Sequence, residues 1–353
     1  MTRRILATLI LLSPIFFVPT SIAAVTSTPT INLDASLASS LGTNAPSRWN
    51  DLATGSLQFI IGSNSTYSSF GGGSLTNTSA GTSGAFLAPP LASGSASNPS
   101  GDISVMTWVN FTSWNVDWNI LSSRWFSDTA GSGGTSDYHF AVRKKGSNYR
   151  LNLFTTNTSD IDGSTNLSLN KWYLLGFTLG GGVPKFYING QYDTPTVTSG
   201  VTRTPQSNAY LFVGDYRTAC TGCSFNGYMS KFRMWNTVLS ASTVLADYRN
   251  EAASLGYGTT TSLALSNTFP KYRTSNPITA TVSLPGRITF YEKGKLIPKC
   301  KNVVVATTTG SCAWKPNTHG VTSISATFQP TDRDFISSTS TQNLVVSKRT
   351  TPR

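Results

Sequence analysis

Short runs in which apolar and polar residues alternate, each bounded by turn-forming residues, recur through most of this chain. The pattern is strictest in residues 277–283 and 323–329, where every second residue is apolar. A period of two sends successive side chains to opposite faces of a β-strand, so each run predicts a strand with one buried face. Residues 185–193 predict a hairpin, because Asn189-Gly190 suits a two-residue turn that requires positive φ. The sequence therefore predicts an all-β fold of many short strands.

Charged residues are scarce, which agrees with a strand-rich fold. They make up 12% of the chain, and its glutamates are Glu251 and Glu292. Long amphipathic helices need charged side chains on their solvent-facing surface, and this chain supplies few of them. We predict one helix, which begins after Leu239 with Ser240 as its N-cap and continues with apolar residues three and four positions apart.

The first 24 residues predict an export signal. Arg3 and Arg4 precede a mostly apolar stretch, and the small residues that follow suit cleavage after Ala23 or Ala24. The alternative interpretation is a membrane anchor, but the apolar run of about 14 residues is shorter than the ~20 that a spanning helix needs. No later segment is apolar enough to cross a bilayer. We therefore expect a secreted or cell-surface protein without a transmembrane segment after the signal is removed.

The charge is unevenly distributed along the chain. Residues 25–258 contain 13 Lys and Arg against 12 Asp and Glu, whereas residues 259–353 contain 12 against 3. We predict a first domain over residues 25–255, a second over residues 256–348 and a loose tail over residues 349–353. A basic second domain favours contact with an anionic surface or envelope polymer. The alternative is that its lysines only keep a β domain soluble and protect its edge strands.

The four cysteines form two close pairs in the sequence. In an oxidising compartment such spacing predicts two disulfides, Cys220–Cys223 and Cys300–Cys312. Cys220 and Cys223 could instead form a redox pair or half of a zinc site, although neither histidine lies near them in sequence.

Several segments in the first predicted domain carry a family resemblance. In chain order they are INLDAS (31–36), RWNDL (48–52), DISVMTWVNF (102–111), ILSSRW (120–125), NKWYLLGFTL (170–179), KFYINGQYD (185–193), LFVGD (211–215) and FNGYMSKFRMWNTVLSASTV (225–244). Together they resemble the laminin G-like domains of the concanavalin A-like lectin/glucanase superfamily over residues 30–250. The resemblance implies a jelly-roll β sandwich. Ser230 and Lys231 stand where such domains often have acidic residues, which weakens any transfer of acidic contacts to that strand.

Segments of the second predicted domain resemble bacterial immunoglobulin-like repeats. They are PITATVSLPGRITFYEKGKLIPKCKNVVV (277–305), GSCAWKP (310–316), ISATFQPTDRDFISS (324–338) and LVVSKR (344–349). The resemblance implies a second, immunoglobulin-like β sandwich that serves as a spacer or attachment unit. It also implies that cysteines such as Cys300 and Cys312 lie on neighbouring strands, which supports their pairing.

The residues needed for catalysis are poorly represented. Glycoside hydrolysis requires two carboxyl groups at a defined separation. The superfamily's hydrolases carry a Glu-x-Asp-x-x-Glu strand, which this chain lacks, and Glu251 lies beyond the last predicted strand of the first domain. The only histidine of that domain, His139, lies on a predicted strand, and no Gly-x-Ser-x-Gly or phosphate-binding loop occurs. We predict that the protein is not an enzyme.

Tryptophans near predicted loops are the best candidates for ligand contacts. Sugars stack their C–H faces on aromatic rings while nearby polar side chains accept hydrogen bonds from hydroxyls. The candidate ligand-binding residues are Trp114, Trp118, Trp125, Asp128 and Asp137. The other tryptophans of the predicted strands are expected in the core; they are Trp108, Trp172 and Trp235.

Calcium is the candidate cofactor, because sandwiches of the resembled class often bind it at one rim through Asp side chains and carbonyl oxygens. The oxygen-rich segments 127–137 and 160–166 could supply ligands, and we assign Asp160 and Asp162 to this role. A helix-loop-helix calcium motif is absent from the sequence.

These observations favour an exported, non-catalytic adhesion protein that binds carbohydrate or another surface ligand, such as an envelope polymer. The alternatives are a polysaccharide-degrading glycoside hydrolase of the concanavalin A-like class, and a structural envelope protein with protein–protein contacts only. Nucleic acid is not expected as a partner, because no base-stacking motif accompanies the basic residues.

Overall fold

The structure is a computed structural model that describes residues 27–41, 47–77, 86–92, 94–115, 117–125, 136–156, 158–215 and 223–348. Several predictions fall outside this part of the chain. They concern the export signal in residues 1–24, the tail in residues 349–353, Asp128, Cys220 and the side chain of Trp125.

Strands dominate the described residues, which confirms the predicted all-β fold class. The first sixteen strands are β1 (Ile31–Asp34), β2 (Arg48–Asn50), β3 (Gln58–Ile61), β4 (Tyr67–Ser68), β5 (Ser74–Asn77), β6 (Phe86–Leu87), β7 (Ile103–Ser113), β8 (Trp118–Trp125), β9 (Ser136–Lys145), β10 (Asn148–Thr155), β11 (Thr158–Asp162), β12 (Trp172–Gly180), β13 (Val183–Ile188), β14 (Gln191–Asp193), β15 (Tyr210–Val213) and β16 (Asn226–Trp235). The remaining strands are β17 (Thr261–Leu265), β18 (Asn276–Val282), β19 (Gly286–Glu292), β20 (Lys295–Leu296), β21 (Val303–Val305), β22 (Thr309–Trp314), β23 (Gly320–Pro330) and β24 (Ser338–Val346).

Helical structure is limited to short segments. These are α1 (Ala38–Leu41), α2 (Ala241–Glu251) and two 3-10 turns, at Phe70–Gly72 and Ala252–Leu255. Helix α2 confirms the one predicted helix, and the side chain of Ser240 accepts a hydrogen bond from the backbone N–H of Thr243 at 3.1 Å. None of the helices in the described residues has the length and apolar character of a membrane span.

Strands β1–β16 form two antiparallel sheets, here called the N-terminal sandwich (residues 31–235). The first sheet has the order β14-β13-β12-β7-β16-β5-β4, with β1 also paired to β16, and the second has the order β11-β10-β9-β8-β15-β6-β3-β2. Residues from both sheets form one buried hydrophobic core, because alternate side chains of each strand point inward. Large members of this core are Trp49, Phe59, Phe86, Phe111, Phe140 and Phe177.

The predicted hairpin joins β13 and β14 at the edge of the first sheet. Ile188 pairs with Gln191, and the two loop residues, Asn189 and Gly190, have φ values of 52° and 75°. Both are left-handed, as a two-residue turn with the twist of the strands requires. A Cβ at Gly190 would lie 2.9 Å from the Cα of Leu245 in α2, so the turn also depends on glycine for its contact with the helix.

Strand β7 is buried on both faces, because a second cluster covers the outer side of the first sheet. Its odd-numbered apolar residues enter the sandwich core, whereas Met106 and Trp108 pack outward against α2 and the following 3-10 turn. The expectation that Trp108, Trp172 and Trp235 are core residues is confirmed, since each is at most 5% exposed. We call this outer layer the shared cluster, because Phe335 and Ile336 from the turn between β23 and β24 also pack against it.

Strands β17–β24 form two smaller sheets, here called the C-terminal sheets (residues 261–346). One has the order β17-β18-β22, and the other has the order β20-β19-β23-β24 with β21 paired to β19. They enclose a core of their own that includes Phe290, Trp314 and Phe328. The predicted Cys300–Cys312 disulfide is confirmed, with a Cα–Cα distance of 5.7 Å. It connects the segment between β20 and β21 to β22, and so joins the two sheets. The expectation that the two cysteines lie on neighbouring strands is wrong, because Cys300 lies in a loop.

The C-terminal sheets are held against the N-terminal sandwich by the turn at residues 331–337. The Tyr248 hydroxyl donates to the carbonyl of Asp334, and the Ile336 N–H donates to the carbonyl of Tyr257 at 3.0 Å. The rings of Tyr257 and Phe335 meet edge to face with centroids 5.5 Å apart. The division of the chain into domains near residue 256 stays a prediction, as does the immunoglobulin-like character of the C-terminal sheets.

Candidate functional site

Trp114 lies just beyond β7, at one end of the N-terminal sandwich. Its half-buried ring stacks on Tyr149, with centroids 4.4 Å apart and planes 8° apart, and lies 4.6 Å from the Phe111 ring. Stacked aromatic pairs of this kind stabilise a fold by about 0.5–1.5 kcal/mol beyond their buried area. One face of Trp114 is therefore occupied within the protein, and its role in ligand binding stays a prediction.

Trp118 lies elsewhere, on the outer face of the second sheet. It shares that face with Arg143, its partner across β8 and β9, whose guanidinium carbon is 4.2 Å from the indole centroid. Arg143 also contacts the carboxylates of Asp117, at 3.3 Å, and Asp160. Trp118 is thus held in a cation–π contact that is itself fixed by two ion pairs.

Asp160 and Asp162, the predicted calcium ligands, lie on β11 beside this face. The Lys145 ammonium is 2.9 Å from Asp162 and 3.7 Å from Asp160, and Asn152 donates to Asp162 at 2.7 Å. These cations already neutralise the two carboxylates, so calcium would have to displace Lys145 and Arg143. In the described part of the chain, no three His, Cys, Asp or Glu side chains are grouped to hold a metal ion. The calcium assignment stays a prediction.

Asp137 is buried between two arginines. Arg124 and Arg203 place guanidinium nitrogens 3.3 Å and 3.0 Å from the same carboxylate oxygen. The two arginines also donate to carbonyls of the 97–101 segment, which fixes that segment against the sandwich. Burial lowers the pKa of Arg203, while Asp137 opposes this effect. Asp137 therefore has a clear structural role here, and a contact with ligand stays a prediction.

The predicted site residues that the structure describes are consequently not brought together. Trp114 closes one end of the sandwich, Trp118 lies on an outer face, and Asp137 is buried in an ionic cluster. The disulfide predicted for Cys220 and Cys223 is described only at Cys223, which is disulfide-bonded.

A different set of residues forms an open groove where the N-terminal sandwich meets the C-terminal sheets. This interface groove has a volume of about 560 Å³. Its aromatic lining comes from four distant parts of the chain and consists of Phe70, Trp172, Tyr257 and Phe335. The size suits a ligand of a few sugar rings, because small-molecule sites have volumes of about 300–1,000 Å³.

Phe70 is the most accessible aromatic ring of the groove. Its side chain is 47% exposed, yet its ring is fixed by Trp172 at 5.4 Å and Tyr228 at 4.8 Å between centroids. An aromatic ring that is exposed on one side and held on the other presents a flat apolar surface at little cost in conformational entropy. This geometry suits stacking against the C–H face of a sugar.

The loop that carries Phe70 depends on the glycines that follow it. Gly71 has a φ of 67°, and a Cβ there would lie 2.4 Å from Cζ2 of Trp172. Glycine removes both obstacles, since it adopts left-handed backbone without penalty and lets the loop lie directly against the indole. The Gly71–Gly73 run therefore positions Phe70 over Trp172.

Polar groups surround the aromatic lining. The N-terminal sandwich contributes Asn110, Asn170 and Lys171, and the C-terminal sheets contribute Asp332 and Asp334. The two aspartates belong to one turn, in which the Asp334 N–H donates to Oδ1 of Asp332 at 3.0 Å. Amides and carboxylates at the rim can accept hydrogen bonds from hydroxyl groups, and the amides and Lys171 can donate them.

The two aspartates also affect the tyrosines beneath the groove. Burial raises the pKa of Tyr257 above its ordinary value, and the charges of Asp334 and Asp332 add to this effect. The pKa of Tyr248 is raised by burial and by Asp334 in the same way. Both hydroxyls therefore stay protonated and act as hydrogen-bond donors, Tyr257 to the carbonyl of Trp172 and Tyr248 to that of Asp334.

Sequence reasoning missed this groove. Phe70 and the glycine run were visible in the sequence, and a large apolar residue before three glycines is a signal for an exposed loop with a close backbone approach. Asp332, Asp334 and Phe335 belong to a polar turn, and nothing local to that turn indicates that it reaches Trp172. The groove exists only because the C-terminal sheets pack on the shared cluster.

Comparisons with known proteins agree with the sandwich architecture. Residues 81–245 match the Laminin_G_3 family model of the concanavalin A-like lectin/glucanases superfamily. The laminin G-like resemblance is supported over these residues, and the immunoglobulin-like resemblance of the C-terminal sheets is not confirmed. None of the curated proteins compared with this chain matches it.

Solved structures with a similar fold differ widely in sequence. Domain 4 of AbnA, a GH43 extracellular arabinanase from Geobacillus stearothermophilus solved with arabinotriose, is 16% identical with a TM-score of 0.42, and the match covers 62% of this chain and 97% of that one. A Trypanosoma rangeli sialidase is 14% identical with a TM-score of 0.50, over 69% of this chain and 36% of the sialidase. The binding domain of Paraclostridial Mosquitocidal Protein 1 is 10% identical with a TM-score of 0.46, over 84% and 75%. At these identities the similarities concern the fold alone.

Proposed function

We propose that the protein is an exported, non-catalytic carbohydrate-binding protein and that the interface groove is its glycan-binding site. The observation that supports this most is the accessible Phe70 ring, which is fixed against Trp172 and faced by polar groups from both parts of the chain. The matching family model groups lectins with glucanases, which agrees with a glycan as ligand.

The arrangement of the acids favours binding over hydrolysis. Glycosidases place two carboxyl groups on opposite sides of the scissile bond, about 5–9.5 Å apart. The carboxylates that line the groove, Asp332 and Asp334, both come from one short turn, and one of them is engaged by the turn's own N–H group. Release of reducing sugar from a polysaccharide panel would contradict the non-catalytic part of the proposal and support the hydrolase alternative.

The proposal is tested by substituting the exposed groove ring and a control ring. We expect Phe70→Ala to weaken binding of a glycan selected on a glycan array by about fivefold, because it removes a stacking surface whose contribution is near 1 kcal/mol. Phe269→Ala is the matched control, since Phe269 is 76% exposed on the C-terminal sheets and does not line the groove. Titration calorimetry with the selected oligosaccharide gives both affinities.

Equal losses in both variants, or none in either, would contradict the groove as the site. An array on which no glycan is retained while envelope proteins are captured would favour the structural alternative. The array is run with calcium and with a chelator, because Asp160 and Asp162 are the predicted calcium ligands. Binding that is unchanged by the chelator would show that glycan binding in the groove does not require calcium.

A further inference from the structure

The C-terminal sheets carry a second candidate site, which is cationic. A cleft of about 560 Å³ lies beside the turn between β19 and β20, and its lining includes Lys293, Lys295 and Lys315. A neighbouring cleft of about 390 Å³ is lined by Arg287 and Lys301, among others. The exposed side chain of Leu296 borders both clefts, so the two form one continuous surface. We call these five basic residues with Leu296 the cationic path.

The positive charges of the cationic path are not neutralised within the protein. Across residues 259–348, which the structure describes without a gap, no Lys or Arg lies within 4.0 Å of a described carboxylate oxygen. The single acid that lines the first cleft, Glu292, is turned toward the interior: its oxygens accept hydrogen bonds from the Trp314 indole at 3.1 Å and from Thr322 at 3.3 Å. Like charges held close together without counter-charges repel one another, and this cost is relieved when an anion binds.

The backbone conformation of Lys293 supports a functional reason for a lysine at this position. Lys293 and Gly294 form the two-residue turn between β19 and β20, where Glu292 pairs with Lys295. Lys293 has a φ of 48°, a left-handed conformation that glycine and asparagine adopt far more readily than lysine. The corresponding turn of the N-terminal sandwich uses Asn189 at this position. A lysine is thus kept at the mouth of the cleft at a local conformational cost, as is common at functional sites.

The remaining lining identifies the kind of polyanion. The first cleft is also lined by Ile297, Pro298, Ala313, Asn317 and Thr318, and its one aromatic residue, Trp314, is only 1% exposed. Proteins that bind single-stranded nucleic acid stack successive bases on exposed aromatic rings. The first cleft presents no such ring, and the neighbouring cleft has a single half-buried one, Tyr291, which does not provide a run of stacking surfaces. Amide and hydroxyl groups beside lysines suit a chain that bears hydroxyls as well as negative charges.

We propose that the cationic path binds an acidic polysaccharide, with the lysines pairing the carboxylate or sulfate groups of successive sugar units. The site is separate from the interface groove and does not depend on glycan binding there. Lysine suits this role because it places a point charge on a flexible stem and does not require one fixed geometry, so it can follow a polymer of irregular charge spacing.

The test compares two triple variants of the full chain that lose the same net charge. Lys293→Gln/Lys295→Gln/Lys315→Gln removes the charges of the first cleft. Lys144→Gln/Lys185→Gln/Lys271→Gln is the matched control, because these three exposed lysines form no ion pairs and line neither cleft.

Binding of heparin and of polygalacturonate is measured by calorimetry at several NaCl concentrations, with a DNA duplex and vesicles containing phosphatidylglycerol as competing probes. We expect the cleft variant to lose about tenfold in affinity for the polysaccharides and to show a weaker salt dependence, while the control changes less than about twofold. Equal losses in both variants would overturn the proposal, because net charge alone would then explain binding. The proposal would also be overturned if neither polysaccharide bound. It would likewise be overturned if DNA or the vesicles bound as tightly as the polysaccharides and the cleft variant weakened their binding equally. Phe70→Ala should leave this affinity unchanged, which separates the cationic path from the proposed function.

Discussion

Helix α2, which packs on the N-terminal sandwich, and the C-terminal sheets each contain one of the chain's two glutamates, and each glutamate accepts a hydrogen bond from a tryptophan indole. Trp108 donates to Glu251 at 2.6 Å, and Trp314 donates to Glu292 at 3.1 Å. Glu251 is also paired with Lys231, at 3.0 Å, and with Arg233. Glu292 has only hydroxyl and indole donors among the described residues.

The two regions therefore use charge differently. Around Glu251, a network of acids and bases attaches helix α2 to the outer face of the first sheet, with Lys231 also 2.9 Å from Asp34 and Arg233 3.7 Å from Asp247. The ion pairs of the described residues lie within residues 34–251, whereas a disulfide joins the C-terminal sheets and their basic residues face solvent. Paired charges in the first region stabilise packing, and unpaired charges in the second are available to a ligand.

Removing the disulfide tests whether the C-terminal sheets depend on covalent closure. We expect Cys300→Ala/Cys312→Ala to lower the free energy of unfolding by about 3 kcal/mol, because the bridge closes a short loop and its loss enlarges the unfolded ensemble. Hydrogen exchange should show faster exchange in β19 and β22 while β7 and β12 keep their protection. A loss below about 1 kcal/mol, or faster exchange in β7, would contradict the assigned role.

Neutralising each glutamate compares the two regions directly. Glu251→Gln leaves Lys231 and Arg233 with one acidic partner each in a partly buried site, so we expect a loss of about 2 kcal/mol in the free energy of unfolding. Glu292→Gln keeps an acceptor for Trp314 and breaks no ion pair, so we expect a loss of less than about 1 kcal/mol. Urea denaturation measures both, and equal losses would show that the ion pairs around Glu251 contribute nothing beyond the hydrogen bond.

Low pH should reduce the free energy of unfolding mainly through the charged groups around helix α2. We expect this effect to be smaller than those of the substitutions described above. Burial raises the pKa of Glu251, but Arg233 and Lys231 lower it more, so the pKa lies below its ordinary value. Its stabilising contribution is therefore complete above its unfolded pKa and is lost as the pH falls through its folded pKa. Burial raises the pKa of Asp247, with Arg233 opposing, so this group favours the folded state as the pH falls.

Urea midpoints between pH 3 and pH 7 measure both contributions. Glu251→Gln should reduce the decline in stability toward acid, and Asp247→Asn should steepen it, because it removes the group that opposes the decline. Relative to the unsubstituted protein, a shallower decline in one variant and a steeper decline in the other would support the assigned directions of the pKa shifts. Profiles parallel to that of the unsubstituted protein would contradict them.

Much of the fold could be predicted from local sequence, because local chemistry determines it. Alternation identified β18 and β23, the Asn189-Gly190 pair identified the hairpin, and Ser240 identified the start of α2. The burial of both faces of β7 was harder to predict from the sequence. Met106 and Trp108 occupy the positions that alternation assigns to solvent, and only the position of α2 explains why they are apolar.

The candidate site could not be predicted for a related reason. Phe70, Trp172 and Phe335 are separated by at least about a hundred residues, and their proximity results from packing between the two regions. Trp114 and Trp118 are close in sequence, yet β7 ends just before the first, and β8 begins at the second and places it on the outer face of its sheet. Proximity along the chain was therefore a poor guide to proximity in space among the candidate site residues.

The shared cluster has a mechanical consequence. Phe335 and Ile336 are anchored on helix α2 and Tyr257, so the two halves of the molecule are joined by side-chain packing as well as by the backbone at residues 256–260. Tension applied to one half would therefore reach the other through these side-chain contacts as well as through the backbone. A protein attached at both ends would transmit such a force without unravelling at its middle.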